Sequence, residues 1–218
     1  MSQLRFRIAI SLDGYTSGPD QSVDVPLGLG GEQLHQWVLP LAAWRIPHGL
    51  PGGEVNASSA VLEEVQAGIG ATIMGRNMFG GQPGPWDPNR PWTGWWGDDP
   101  PFHHPVFVLT HHARPPLTLQ GGTTFTFVTD GIESALALAR AAAGERDVTL
   151  AGGAGVARQY LTAGLVDRMD LHLVPVLLGA GERLFDGVRD LHGLQLAGVV
   201  DAPGVTHLKY LRSAGPRE

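Results

Sequence analysis

A glycine-rich turn between an apolar strand and a helix carries the strongest chemical signal in the sequence. Residues 148–161 read VTLAGGAGVARQYL, so four small residues join an apolar run to a helical pattern. Glycines let backbone approach a ligand closely, and the N–H groups that begin a helix favour a phosphate. The same glycines would also allow a strand and a helix to pack tightly. The turn therefore predicts a phosphate site, with packing as the alternative.

Two further strand ends carry groups suited to an anion. Residues 74–79 (MGRNMF) place an arginine beside a glycine, and residues 108–114 (VLTHHAR) place a hydroxyl, two imidazoles and a guanidinium after an apolar run. Ligands of open parallel sheets bind outside the carboxyl ends of the strands. Three such ends predict one extended phosphorylated ligand. A Rossmann turn normally follows the first strand, and an acidic residue on a following strand binds the ribose. Here about 150 residues precede the glycine turn and no acidic residue stands at that place, so a Rossmann turn is disfavoured.

The histidines do not predict a metal site. His103-His104 and His111-His112 are adjacent pairs, and adjacent residues of a strand point to opposite faces. The sequence has no H-x-H or H-x-x-x-H spacing and no cysteine, which excludes sulfur-ligated zinc and disulfides. We therefore expect no metal.

Composition limits the class of protein. The 218 residues are 43% hydrophobic and 17% charged, which is enough apolar material for one core and too little charge for a disordered chain. The net charge is −6, whereas a nucleic-acid-binding domain is normally basic. No stretch reaches the roughly 18 apolar residues of a membrane helix, and the start MSQLRFRIAI is not typical of a signal peptide. We expect a cytoplasmic protein with no nucleic-acid or membrane partner.

Periodicity predicts a single α/β domain over residues 1–213, with a frayed tail over 214–218. Strands are expected over 4–12, 71–74, 106–110, 123–129, 147–151, 168–178, 194–200 and 205–211. Helices are expected over 32–41, over 58–67 with Ser58 as N-cap, over 132–143 behind an Asp130/Glu133 capping box, and from the glycine turn to Gly164. Strand–helix alternation followed by three strands without helices implies a mixed, mainly parallel sheet of about eight strands with antiparallel strands at one edge.

A long segment without periodicity, residues 82–105, holds four of the six tryptophans. So many aromatic rings argue against disorder, and long loops in compact domains are usually functional. Trp92, Trp95 and Trp96 fit two roles. They would form an aromatic wall over a planar substrate, or they would pack the loop itself.

Five segments, in their order along the chain, resemble the dihydrofolate reductase-like fold. They are ISLDGYTSGP, TIMGRNMFGG, PVFVLTHHARPP, VTLAGGAGVARQYLTAGLVDRMDLHLVPVLLGAGERLF and VTHLKY. The chain more closely resembles the reductase domain of the bifunctional riboflavin-biosynthesis deaminase–reductase and its stand-alone relatives, over essentially its whole length. The deaminase zinc motif (H-x-E with P-C-x-x-C) is absent from the sequence. The resemblance implies an NADPH-dependent reductase that transfers a hydride to a small heterocyclic or ribosylamino substrate. A dihydrofolate or carbonyl reductase, and a nucleotide-binding protein without turnover, remain alternatives.

The resemblance also assigns residues to the cofactor. Its pyrophosphate would meet the glycine turn, its adenosine and 2′-phosphate the next two strand ends, and its nicotinamide the first strand. These residues are Gly152, Gly153, Ala154, Gly155 and Val156; Gly75, Arg76, Asn77 and Met78; Thr110, His111 and His112; and Ala9, Ser11 and the loop from Gly14 to Gly18.

Two carboxylates are candidates for the proton donor that such a reduction needs, namely Asp13 in the SLDG turn and Glu32 near the start of the first helix. Each also has an ordinary structural interpretation. Asp-Gly is a common pair in turns, and a glutamate in the first turn of a helix is stabilised by the helix dipole. A ribosylamino substrate with a 5-phosphate would also need a basic pocket, for which Arg158 and Arg183 are the candidates.

A homodimer is expected from the segment 169–178, MDLHLVPVLL. Its second half is apolar on both faces, and its proline suits an edge strand, so a second subunit would cover it. The alternative cover is the tryptophan-rich segment. Dimers are also common in the group that the chain resembles.

Overall fold

A nine-stranded sheet forms the centre of the protein. The computed structural model describes residues 2–81, 83–89 and 92–213, so the predicted tail at 214–218 lies outside the described residues. In chain order the strands are β1 (Leu4–Ser11), β2 (Tyr15–Ser17), β3 (Ile69–Gly75), β4 (Pro105–Leu109), β5 (Leu117–Thr118), β6 (Thr124–Val128), β7 (Asp147–Gly152), β8 (Arg168–Val174), β9 (Glu182–Arg183), β10 (Leu194–Ala202) and β11 (Val205–Arg212).

The sheet has the order β10-β11-β8-β1-β7-β3-β4-β6-β5, and β2 pairs with β9 in a separate two-stranded sheet. Its six central strands are parallel, while β5, β10 and β11 run antiparallel to their neighbours. This confirms the predicted mixed, mainly parallel α/β sheet. The short strands β2, β5 and β9 were not predicted, because two or three residues are too few to show a period.

Helices cover both faces of the sheet: α1 (Ala42–Arg45), α2 (Ala57–Gln66), α3 (Arg76–Phe79), α4 (Gly131–Ala143) and α5 (Ala154–Thr162). Leu4, Phe6 and Ile10 of β1 lie in the core with α4 and α5. Ala9 of β1 belongs to a second cluster, which includes Leu62 of α2. Successive side chains of β1 therefore point into two core clusters on opposite faces of the sheet, as the alternation in its sequence predicts. None of the described helices is long and apolar enough to cross a membrane.

The helix predicted over 32–41 is wrong in type. A 3-10 helix spans Gly31–His35, and separate turns follow it. Leu34, Trp37, Val38 and Leu41 are buried, as their spacing predicts. The backbone bonds here, however, join residues three apart, as from the Val38 N–H to the His35 carbonyl. The apolar spacing identified a buried face, which a series of tight turns presents as well as an α-helix does.

The strand predicted over 168–178 ends at Val174, before Pro175. It lies between β1 and β11, so it is not an edge strand. The reason given for a homodimer, an uncovered edge at 169–178, is therefore wrong. The edge on this side of the sheet is β10, whose Leu196 and Val199 are 53% and 55% exposed.

Candidate functional site

A cavity of about 740 Å³ opens at the carboxyl ends of β1, β7, β3 and β4. Its volume lies within the usual range for ligand pockets. Most of the residues that the sequence assigns to a cofactor line this cavity; the exceptions are Ser11, Gly14, Tyr15, Gly18 and Gly152. The sheet thus brings together three strand ends that are far apart in sequence, as the topology of an open parallel sheet requires.

The glycine turn joins β7 to α5. Gly152 has a φ of +114°, a conformation that side chains rarely adopt, and its peptide bond to Gly153 is cis. Gly153 is the N-cap of α5 with an ordinary φ of −73°, and a Cβ built there would meet no atom within 4 Å. Because Gly153 lines the cavity, that open space is the cavity itself. The start of a nine-residue helix therefore faces the ligand space.

The end of β3 lies against the same turn. A Cβ on Gly75 would come within 2.8 Å of the Val156 side chain, so glycine allows the strand end and α5 to approach closely. The next residue, Arg76, lies with its guanidinium 3.6 Å from the centre of the Trp86 ring and donates a hydrogen bond to the Gly80 carbonyl. Glycine thus allows close packing at Gly75 and leaves open space at Gly153, and the role of that space in binding a ligand stays a prediction.

A second guanidinium lies beside the first. Arg114 is 5.0 Å from the Trp86 ring centre and donates a hydrogen bond of 2.6 Å to the Trp92 carbonyl. Burial lowers the pKa of Arg76, and the positive charge of Arg114 lowers it further. Two cations held close together on one indole make this end of the cavity favourable for an anion.

The end of β4 presents Thr110, His111 and His112 to the cavity. The backbone N–H of Thr110 donates to the Val128 carbonyl, and its hydroxyl accepts from the His112 N–H at 3.1 Å. Thr110 is buried, whereas His111 is exposed. Hydrogen bonds of Thr110 to Val128 and His112 thus fix the backbone conformation at this strand end.

Four tryptophans, Trp86, Trp92, Trp95 and Trp96, form an aromatic cap over the ends of β3 and β4. Three indole N–H groups fasten it, donating to the carbonyls of His112, Phe79 and Met78 at 2.8, 2.8 and 3.0 Å. Trp95 and Trp96 line the cavity, and Trp96 also packs on Phe102. The cap therefore packs the loop and also lines the cavity, and its role as a wall over a planar substrate stays a prediction.

The two candidate acids lie outside the cavity lining. Asp13 accepts hydrogen bonds from the Ser11 hydroxyl at 2.6 Å and from the backbone N–H groups of Leu178 and Gly179 at 3.2 and 2.7 Å. The Ser11 bond, with those backbone bonds, lowers the pKa of Asp13 to about 2. Glu32 is exposed in the first turn of the 3-10 helix. In this structure Asp13 organises a turn and Glu32 faces solvent, and their role in proton transfer stays a prediction.

Several cavity residues were missed by sequence reasoning. Gln21 comes from the loop after β2, His35 from the 3-10 helix and Glu182 from β9, whereas Thr16 and Ser17 of β2 lie in the loop that the resemblance assigns to the nicotinamide. Only the tertiary pairing of β2 with β9 brings Thr16 and Glu182 together. A partial signal existed for His35, since it stands between the buried residues Leu34 and Trp37.

Comparison with known proteins identifies the family of the chain and several solved structures of similar fold. The RibD C-terminal domain family matches residues 2–208. A protein assigned to riboflavin biosynthesis from Shewanella sp. PV-4 is 22% identical, with a TM-score of 0.53 over 98% of this chain and 99% of its own. No match was found among curated proteins.

Two further solved structures, a deaminase/reductase and a RibD protein, are also similar in fold. The diaminohydroxyphosphoribosylaminopyrimidine deaminase/5-amino-6-(5-phosphoribosylamino)uracil reductase of Thermotoga maritima is 12% identical, with a TM-score of 0.54 over 97% of this chain and 56% of its own. RibD of Acinetobacter baumannii is 15% identical, with a TM-score of 0.53 over 97% and 58%. The family match covers nearly the whole chain and confirms the resemblance seen in the motifs. The chain belongs to the RibD C-terminal domain family.

Proposed function

We propose that the protein is an NADPH-dependent reductase that transfers a hydride to a small heterocyclic or ribosylamino substrate. The observation that carries this proposal is the convergence of three parallel strand ends and the start of α5 on one cavity. Membership of the RibD C-terminal domain family supports it.

The described residues fit the cofactor. The open space at Gly153 and the start of α5 suit a pyrophosphate, with Ala154, Gly155 and Val156 beside it. Arg76 would hold the 2′-phosphate, because a guanidinium has five donors in a planar fork, and Arg114 adds positive charge nearby. Thr110, His111 and His112 would meet the adenosine side together with Asn77 and Met78. Ala9 would face the nicotinamide, with Ser11 and Gly14 supporting it from outside the lining.

A bound NADPH would supply a hydride to a C=N or C=O carbon of the substrate, and the reduction would need a proton at the nitrogen or oxygen. The chain contributes position and a water-excluding wall, for which Trp95 and Trp96 are placed. Asp13 and Glu32 remain the predicted proton donors. Since neither lines the cavity, a nucleotide-binding protein without turnover is the second candidate function.

The cofactor assignment is tested by titrating NADPH and NADH against the intrinsic tryptophan fluorescence. We expect NADPH to bind more tightly than NADH, and Arg76→Ala to weaken NADPH by about 1.5–3 kcal/mol, the range for a hydrogen bond to a charged group. NADH serves as the control within the same variant, because it lacks the 2′-phosphate. Equal losses for both cofactors would mean that Arg76 acts only through the aromatic cap.

Turnover is tested by NADPH oxidation with three acceptors: 5-amino-6-(5-phosphoribosylamino)uracil, dihydrofolate and simple carbonyl compounds. Oxidation with any of them supports a reductase and identifies its class. Tight NADPH binding without oxidation in any assay would favour the second candidate function.

The proposal also includes a homodimer, which is common in the group of reductases that the chain resembles. We expect its interface at the exposed edge strand β10.

A further inference from the structure

The indole of Trp86 lies against the arginine that follows β3. Arg76 lines the cavity, and the Cζ atom of its guanidinium is 3.6 Å from the centre of the Trp86 ring. At that distance a cation and the face of an indole attract each other. The stack occupies one face of the guanidinium, whereas its N–H donors lie in the plane of the group. Stacking therefore fixes the plane in which Arg76 can donate to a ligand.

Trp86 is itself held from several sides. Its Nε1–H donates to the His112 carbonyl at 2.8 Å, and its ring packs against Phe79 and Phe127, with ring centres 5.8 and 5.1 Å apart. Both phenylalanines are buried. Phe79 also follows Arg76 by three residues in α3, so these two side chains share one face of that helix. The indole is therefore a fixed platform that joins α3 to the strand ends of β4 and β6.

A fixed guanidinium differs from an ordinary arginine in how it binds an anion. A long arginine side chain is normally flexible, and ordering it on binding weakens the complex. The Trp86 stack and a hydrogen bond to the Gly80 carbonyl order Arg76 before any ligand binds. A planar donor group with a set direction can match two oxygens of a phosphate. A residue that sets this direction consequently contributes to anion affinity without touching the anion.

Arg114 brings a second positive charge to the same ring. Its Cζ atom is 5.0 Å from the centre of the Trp86 ring and 5.1 Å from that of Phe127. Among the residues that the structure describes, no carboxylate lies within 4 Å of the Arg114 guanidinium. A phosphate close to both guanidinium groups would offset the repulsion between them. The platform therefore suits an anion with more than one negative charge.

We propose that Trp86 is a positioning residue for Arg76, and that this platform gives the protein its preference for NADPH over NADH. The two cofactors differ only in the 2′-phosphate, which the proposed function assigns to Arg76, and the inference rests on that proposed function. Trp86 is not among the described residues that line the cavity, so it acts through Arg76 and not by contact with the cofactor. The sequence does not indicate this role, because Trp86 belongs to the segment 82–105, which has no periodicity.

Two fragments isolate the 2′-phosphate: adenosine 2′,5′-bisphosphate and 5′-AMP, which differ only in that group. Isothermal titration calorimetry of the wild type measures NADPH and NADH first and then both fragments. Absence of binding by both cofactors would contradict the proposed function, and the inference with it. Equal affinity for the two fragments, in a protein that binds NADPH, would overturn this inference alone.

Trp86→Leu removes the ring face on which Arg76 lies. We expect the affinity for the bisphosphate to fall about fivefold, the effect of leaving one long side chain to be ordered on binding, while the affinity for 5′-AMP stays close to wild type. Trp86→Phe keeps an aromatic face without the indole N–H and should recover most of the loss. Equal losses in the two variants would assign the effect to the hydrogen bond with His112 and overturn the inference. Trp86→Met also lacks a ring face and replaces Trp86→Leu in the comparison if thermal unfolding shows that the leucine variant does not fold.

A double-mutant cycle shows whether Trp86 acts through Arg76. Arg76→Met removes the guanidinium, and in that background Trp86→Leu should cause no further loss of affinity for the bisphosphate. Additive losses would overturn the inference. Trp44→Leu is the matched control, because Trp44 also stacks on a neighbouring side chain, His48, but lies outside the cavity lining. It should leave the ratio of the two fragment affinities unchanged, and a ratio lowered as much as in Trp86→Leu would likewise overturn the inference.

Discussion

Two neighbouring glycines perform different tasks in the turn before α5. Gly152 adopts a backbone conformation that side chains rarely take, whereas Gly153 has an ordinary φ and open space where a Cβ would point. The first glycine therefore serves the fold and the second leaves room for a ligand. A run of glycines in the sequence does not show which member has the positive φ.

Gly153→Val should abolish NADPH binding while the protein stays folded, since the added side chain enters the cavity and not the core. Fluorescence titration and thermal unfolding measure the two effects. Gly152→Val is the matched control, and we expect a lower Tm because of its positive φ. Normal NADPH binding by Gly153→Val would leave packing as the role of this turn.

Asp13 stabilises the turn after β1 as a carboxylate. The bond from Ser11, then those from the backbone of Gly179 and Leu178, hold its pKa near 2, below the ordinary value of 3.8. A lowered native pKa means that this stabilisation is complete above the ordinary value and is lost as the pH falls through about 2. We expect Asp13→Asn to lower Tm at pH 7, and the difference from wild type to shrink below pH 4. Asp201→Asn, on an exposed strand, is the control, and a pH-independent difference would contradict the assignment.

At the scale of elements, two helices with similar start signals are capped differently. Asn56 caps α2, with its side chain accepting from the Ser58 N–H and its N–H donating to Ser59. Ser58, the predicted N-cap, lies inside the helix and bonds His207 instead. The predicted capping box of α4 is wrong, because the Asp130 side chain makes no cap hydrogen bond. Short motifs give the position of a helix start to within a residue or two, but the local backbone decides which side chain reaches an N–H.

This difference predicts unequal effects of the same substitution. Asn56→Ala should lower the free energy of unfolding by about 0.5–2 kcal/mol, the usual range for an N-cap. Asp130→Ala should lower it by less than about 0.5 kcal/mol, as for a surface change without a cap bond. Urea unfolding measures both. Equal losses would mean that Asp130 caps α4 in solution.

At the scale of the whole molecule, the position of β8 changes where a partner would bind. Both edges of β8 are hydrogen-bonded, one to β1 and the other to β11, so neither edge is open to a partner. Three of the exposed apolar residues, Leu196, Val199 and Val200, lie on the edge strand β10. An apolar edge of this length is normally covered or charged.

We therefore expect a homodimer of about 46 kDa, twice the chain mass of 23.2 kDa, by light scattering after size exclusion. Val199→Lys places a charge on the edge and should shift the mass to that of one chain. Leu138→Lys, at an exposed apolar residue of α4, makes the same type of substitution away from this edge and should leave the dimer intact. A monomer at every concentration would exclude the interface.

The sequence by itself determined the local order of the fold. The alternation of Leu4, Phe6 and Ile10, the helical runs of α4 and α5 and the glycine turn at Gly153 each depend on neighbours a few residues apart. Composition and period therefore sufficed for the α/β class, the mainly parallel sheet and the residues at three strand ends. Family motifs added the expectation of a cofactor, because they occur in a set order along the chain.

Tertiary structure alone decided which distant segments meet. Thr16 and Glu182 line one cavity because β2 pairs with β9, and the register of two short strands leaves no trace in the periodicity of either. The interior position of β8 likewise depends on strand order, which apolar residues on both faces of a strand do not specify. Arg158 and Arg183, the arginines that the sequence offers for a substrate phosphate, contact Glu182 and the Tyr15 ring instead of lining the cavity. Their places in the chain do not show these contacts.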